Sequence, residues 1–200
     1  MSSGRIGIFG GTFDPIHVGH LHLAQAAVDI ETLDRVLFVP MAAPAHRDTH
    51  AAAAHRRAMT ALAIAGNDRF ALDDTGLEQA APAYTADTLA IIRAKRPDDL
   101  LVFIAGIDSL ARSRWRRLDE VAGMLERFLV AQRDGIDASE LAPILADLPE
   151  PLRARFVPID VALMDVSSTA IRALVAKRRS IRYLTPDAVV QHIESNGLYR

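Results

Sequence analysis

Arg5-Ile6-Gly7-Ile8-Phe9-Gly10-Gly11-Thr12-Phe13-Asp14-Pro15-Ile16-His17-Val18-Gly19-His20-Leu21-His22 runs from a short apolar strand pattern, through two adjacent glycines, into a helical pattern. A strand that turns tightly into a helix is where parallel-sheet proteins hold nucleotides. Glycine lets the backbone approach a ligand with no Cβ in the way, and the helix start aims unpaired N–H groups and its positive dipole end at an anion. His17 and His20 fall three apart on one helical face, and Gly19 keeps bulk from between them, so two ring N–H donors can bracket a phosphate. Surface histidines or an H-x-x-H metal pair are the other readings of that tetrapeptide. The G-x-G-x-x-G and Walker patterns are both absent.

The same alternation continues outward from this stretch. Apolar runs at 5–9, 35–39, 69–72, 100–105, 127–131 and 155–159 are separated by helical patterns near 17–28, 51–65, 85–96, 138–147 and 168–179. The runs are nearly continuous in apolar residues, as expected of strands covered by helices on both faces. This predicts an α/β fold, a Rossmann-like doubly wound parallel sheet. At 200 residues the chain is long enough for one core and one domain, residues 1–200. The segment from Asp134 to Pro151 reads as a connection without chemistry of its own, with a helix start at Asp137–Glu140. A last helix is punctuated by Thr185 as cap, Pro186 at the first helical position, Asp187 in the first turn and Gly197 past the end.

Composition excludes several classes. With 23 Lys+Arg against 25 Asp+Glu, the chain is no polybasic nucleic-acid binder. The absence of cysteine removes disulfides, thiolate metal sites and cysteine nucleophiles, and fits a reducing cytoplasm. No apolar run has signal-peptide character at the N-terminus or membrane-spanning length elsewhere, so a cytoplasmic protein without a membrane or nucleic-acid partner is expected. The residues leave oligomeric state open, a homo-oligomer included.

Ser167-Ser168-Thr169-Ala170-Ile171-Arg172 is a second phosphate candidate: consecutive hydroxyls at a helix start, with Arg172 about one turn in. An N-cap alone would also account for it. Gly106 and Asp108 follow the 100–105 run, at the carboxyl edge where open α/β sheets bind ligands. Asp108 suits either a ribose hydroxyl or a helix cap. Thr85 is a natural N-cap after Tyr84, and helix-start amides there could also hold a carboxylate. Trp115, the only tryptophan, suits the core, a basic patch or stacking on an aromatic ligand. Lys177-Arg178-Arg179 closes a helical pattern as cations at its C-terminus.

Gly10-Gly11-Thr12-Phe13-Asp14-Pro15-Ile16-His17-Val18-Gly19-His20 resembles the signature of the nucleotidyltransferases that share H-x-G-H with class I aminoacyl-tRNA synthetases. Among these the chain is most similar to bacterial nicotinate-nucleotide adenylyltransferases. The likeness runs from Gly7 to Arg200 and includes Ser167-Ser168-Thr169-x-Ile171-Arg172, Gly106-x-Asp108, Pro82-x-Tyr84-Thr85 and the ending Gly197-Leu198-Tyr199-Arg200.

The resemblance implies transfer of adenylate from ATP to nicotinate mononucleotide, yielding nicotinate adenine dinucleotide and pyrophosphate. It implies catalytic roles for His17 and His20, and ATP contacts from Gly10, Gly11, Thr12, Gly106, Asp108, Arg133, Ser167, Ser168, Thr169 and Arg172. Nicotinate mononucleotide would meet His46, Arg47, Tyr84, Thr85, Trp115 and Arg116. Mg²⁺ would arrive with ATP rather than on protein ligands. Met41 stands where the family commonly has a polar residue, so no polar side-chain bond is expected from it. Two other readings share part of the pattern: a phosphopantetheine adenylyltransferase-like enzyme, and a nucleotide-sensing module without turnover.

Overall fold

Six parallel strands form one sheet in the order β3-β2-β1-β4-β5-β6, in the computed structural model that describes residues 3–42, 49–79, 84–112, 115, 117–131, 141–162 and 164–200, with backbone alone at 108, 111 and 112. The strands are β1 (Arg5–Gly11), β2 (Arg35–Pro40), β3 (Phe70–Leu72), β4 (Leu100–Gly106), β5 (Arg127–Ala131) and β6 (Phe156–Ile159). The helices are α1 (Val18–Glu31), α2 (Ala53–Ile64), α3 (Thr85–Lys95), α4 (Ile107–Arg112), α5 (Leu118–Gly123), α6 (Leu141–Leu145), α7 (Glu150–Arg153), α8 (Ser168–Ala176) and α9 (Asp187–Ser195). Each apolar run of the sequence is a strand, and the α/β doubly wound architecture is the one expected.

The pleat explains why those runs are apolar throughout. Val36 and Phe38 of β2, with Val102 and Ile104 of β4, join a core that α1, α2, α8 and α9 cover. Leu37 and Val39, with Leu101, Phe103 and Ala105, point the other way, into a core completed by α3 to α6. Side chains alternate along a strand, so two covered faces demand apolar residues at every position.

Three local expectations change. The Thr185 hydroxyl does not cap α9; it donates to the Ile16 carbonyl at 2.8 Å, and Pro186 is the N-cap. A buried carbonyl in the turn before α1 needs a donor, and tertiary packing supplies Thr185. Thr85 is the first residue of α3, whose N-cap is Tyr84. The connection after β5 is less featureless than its composition suggests. Leu141 and Leu145 of α6, together with Leu148, are buried in the second core, a contribution of about 1.5–3 kcal/mol for each side chain fully removed from water. The helix start expected at 137–140 lies outside the described residues. No helix among the described residues is long and apolar enough to cross a membrane.

Candidate active site

The chain leaves β1 toward β2 and β3 on one side and returns to β4 on the other, so β1 and β4 flank the point where the strand order reverses. Pairing between them runs from Arg5 opposite Leu100 to Ile8 opposite Phe103, although β1 continues to Gly11 and β4 to Gly106. On their outer sides both strands stay paired to the end, Gly11 with Pro40 and Gly106 with Ala131. Their carboxyl ends therefore part from each other, which is how an open α/β sheet forms a ligand crevice.

Glycines line the opening for two different reasons. Among the described residues, a Cβ on Gly106 would meet nothing within 4 Å. A Cβ on Gly11 would lie 2.7 Å from the Phe13 ring, because Phe13 turns back in a left-handed conformation, φ 49°. The chain's own turn is what excludes a side chain at Gly11.

His17 is the N-cap of α1 and His20 its third residue. Their rings stack with centroids 3.6 Å apart, and the His20 ring meets Phe13 edge-on at 5.2 Å. The His17 backbone N–H donates to His20 Nδ1 at 3.2 Å, the return half of a capping box. Nδ1 is thereby an acceptor, so the neutral His20 ring carries its proton on Nε2. The His17 ring leans toward its own first turn without reaching hydrogen-bond geometry, and its buried Nδ1 is left unpaired. Burial holds the His17 pKa down at about 4, which keeps the ring neutral at physiological pH. The helix start is less open than its sequence suggests, since Val18 N–H already donates to Leu184 O at 3.0 Å.

The second candidate phosphate motif is docked directly against the first. Ser167 caps α8 by accepting from Ala170 N–H at 3.1 Å. Ser168 Oγ donates to Pro15 O at 2.8 Å, and Arg172 Nη1 donates to Asp14 O at 2.7 Å. Arg172 Nη2 also donates to Thr169 Oγ1 at 3.3 Å, which leaves the Thr169 hydroxyl proton available to another acceptor. Two stretches more than 150 residues apart in sequence thus form one surface at the end of β1.

A second group gathers beside the end of β2. Thr88 of α3 donates to Tyr84 O at 3.3 Å and lies 3.9 Å from Met41 Sδ, so the thioether, read from sequence as unable to make a polar bond, is a weak acceptor here. This brings the Tyr84–Thr85 helix start next to the segment that follows β2. Trp115 donates from Nε1 to Ser109 O at 3.0 Å and packs edge-on against Phe103 and Phe128, half-buried over the second core. Arg117, not singled out from sequence, links Asp87 in the first turn of α3 at 2.6 Å to Glu120 at 2.6 Å. His46, Arg47, Arg116 and Arg133 lie outside the described residues, and Asp108 is described only as a backbone position in α4.

Sequence reading also missed the buried polar groups beneath the crevice. Arg56 of α2 is 0% exposed and donates to four main-chain carbonyls, those of Thr12, Met41, Ala42 and Ala51. Burial lowers its pKa while Asp14 and Tyr199 raise it. Asp14 accepts from His50 N–H at 2.6 Å, from Ala51 N–H at 3.2 Å and from the Tyr199 hydroxyl at 2.6 Å. Burial, then the bond to Asp14, pushes the Tyr199 pKa up.

A crevice at the reversal point of a doubly wound sheet, walled by a histidine-bearing helix start and a hydroxyl-bearing one, is the architecture of the doubly wound nucleotide-binding proteins. The family model described as cytidylyltransferase-like matches residues 8–174. A protein named "Probable nicotinate-nucleotide adenylyltransferase" from Roseiflexus castenholzii is 42% identical over 204 residues, covering 100% of both chains. One of the same name from Rubrobacter xylanophilus is 38% identical over 98% of this chain and 92% of its own. The chain belongs to the nicotinate-nucleotide adenylyltransferase family of cytidylyltransferase-like proteins. The solved structure of Plasmodium falciparum nicotinic acid mononucleotide adenylyltransferase complexed with NaAD shares the fold, with a TM-score of 0.78 at 20% identity over 98% of this chain and 97% of that one.

Proposed function

We propose that the protein joins ATP and nicotinate mononucleotide to give nicotinate adenine dinucleotide and pyrophosphate, a step of NAD biosynthesis. The observation that carries this reading is the docking of the Ser168–Arg172 helix start onto the Asp14–Pro15 turn beside His17 and His20, because it gathers anion donors from two motifs in one place. Its family membership supplies the reaction type.

In this reading a phosphate oxygen of the mononucleotide attacks the α-phosphorus of ATP. A new P–O bond forms there as the bond to the bridging oxygen of the β-phosphate breaks, and pyrophosphate leaves with that electron pair. The attacking monoester has a second pKa of about 6, so it is mostly ionised at neutral pH and needs no general base. The work of the protein is positioning and charge stabilisation.

His20 is the principal donor, its Nε2–H directed by the tautomer that His17 N–H imposes. Neutral His17, Thr12, Thr169 and Arg172 add further donors, while Ser168 acts chiefly by holding the Pro15 turn. Gly10, Gly11, Gly106, Asp108, Arg133 and Ser167 complete the ATP side by family likeness. His46, Arg47, Tyr84, Thr85, Trp115 and Arg116 serve the mononucleotide on the same basis. These donors suit anions rather than a resident cation, so ATP is taken to enter as its Mg²⁺ complex.

The test is product analysis with ATP and paired acceptors. Nicotinate mononucleotide should give stoichiometric dinucleotide and pyrophosphate. The amide should be poorer by about 10–100-fold in kcat/KM, because its NH₂ group would face backbone donors at the α3 start and leave them unpaired at about 1–3 kcal/mol. Equal kcat/KM for acid and amide would remove the carboxylate-recognition role of Tyr84–Thr85.

A further inference from the structure

Helix α3 starts with open amides and a carboxylate beside them. Its N-cap is Tyr84, whose side chain does not cap it, and no described residue accepts from Thr85 N–H or Ala86 N–H. Two donors and the positive end of the helix dipole therefore face an approaching anion. Asp87 stands in the same turn. A carboxylate there suits the dipole, yet it repels a second anion drawn to those amides, because charges within one helical turn lie well inside a Debye length.

Arg117 answers that charge. Its Nε and Nη2 donate to the two oxygens of Glu120 at 2.7 and 2.6 Å, and Nη1 donates to Asp87 Oδ1 at 2.6 Å. The two-point grip of Glu120 fixes the plane of the guanidinium, so its remaining edge is aimed at Asp87. Arg117 takes φ 61° to do this, the left-handed region that costs an L side chain energy. The three side chains are between 44% and 50% exposed, and exposed ion pairs add little to stability. Strain kept where it adds little stability is a mark of a functional position.

We propose that Arg117 is a positioning residue that sets acceptor specificity: by pairing with Asp87 it cancels the repulsion this carboxylate would exert on an acidic acceptor at the start of α3, and Glu120 aims it. The inference rests on the reading of the α3 start as the place that receives the acceptor's carboxylate.

The test is a charge cycle on the full chain: kcat/KM for nicotinate mononucleotide and for its amide in wild type, Arg117→Gln, Asp87→Asn and the double variant. Arg117→Gln bares the Asp87 charge, so kcat/KM for the acid should fall about fivefold or more, while that for the amide, uncharged at this group, stays within about twofold. The loss should shrink in about 1 M salt, where exposed charges are screened. Asp87→Asn leaves the Arg117 charge unmatched and should raise the acid-to-amide ratio about twofold or more; it carries the test if Arg117→Gln fails to fold. The double variant restores neutrality at the pair and should bring the ratio back to within about threefold of wild type. If Arg117 merely braces α3 against α5, acid and amide fall together and the double variant recovers nothing; that result overturns the proposal, as does an acid-to-amide ratio unmoved in both single variants. A wild-type protein with equal kcat/KM for acid and amide overturns the reading of the α3 start instead, and the proposal with it, before any variant is made.

Discussion

Lowering the pH should destabilise this protein through His17, by an amount the structure sets. The ring is 7% exposed, and burial lowers its pKa from 6.5 to about 4. Between those values the unfolded chain holds the proton and the folded one does not, so unfolding free energy falls as pH falls through the window and is flat above it. Taking the two pKa values, the loss from His17 alone between pH 7.5 and pH 4.5 is about 2–3 kcal/mol. His192, whose pKa is lowered by burial and by His55 beside it, adds to the slope, as do the lowered carboxyls of Asp99 and Glu120, so the wild-type slope alone is not diagnostic. The assay is urea unfolding at both pH values for wild type and His17→Gln. Groups other than His17 cancel in the difference, and wild type should lose about 2–3 kcal/mol more than the variant. Equal losses would mean that His17 is not held neutral by burial, and its role as a neutral N–H donor would fall with it.

Gly11→Ala should destabilise the fold by about 1–3 kcal/mol, because the new Cβ would lie 2.7 Å from the Phe13 ring; thermal unfolding checks it, and an unchanged Tm would show that Phe13 can move aside. Thr169→Val keeps the shape of α8, whose cap is Ser167, and should raise the ATP KM or lower kcat with Tm nearly constant. A lowered Tm with unchanged kinetics would make Thr169 structural.

How much of this was legible follows from what each residue answers to. The six strands could be read because a doubly covered strand is apolar at every position, a constraint written locally. The two candidate phosphate motifs could be located because helix starts have their own chemistry, and the structure brings them together through Ser168 and Arg172. Arg56 could not be read in the same way. It sits beside Arg57, which is solvent-exposed and paired with Asp74, and the two look alike in sequence. The available signal was periodicity: Arg56 shares the buried face of α2 with Met59, Thr60 and Ile64, so a charge fell on the apolar stripe. Asp14 stands within the first motif, yet its role as a hub is hidden there, since its partners His50, Ala51, Arg172 and Tyr199 are set by tertiary structure. Thr185 misled for the same reason, its hydroxyl being taken by Ile16.

We propose that His20 Nε2–H meets the charge that develops during adenylyl transfer, and His20→Ala measures this most directly. A donor aimed at the transition state contributes about 2.7–4 kcal/mol, so kcat with both substrates saturating should fall about 10²–10³-fold, with the ATP Kd changed far less. A folded His20→Ala protein whose kcat stays within about threefold of wild type, a difference of roughly 0.6 kcal/mol, would contradict the assignment of the crevice between β1 and β4 as the place of catalysis.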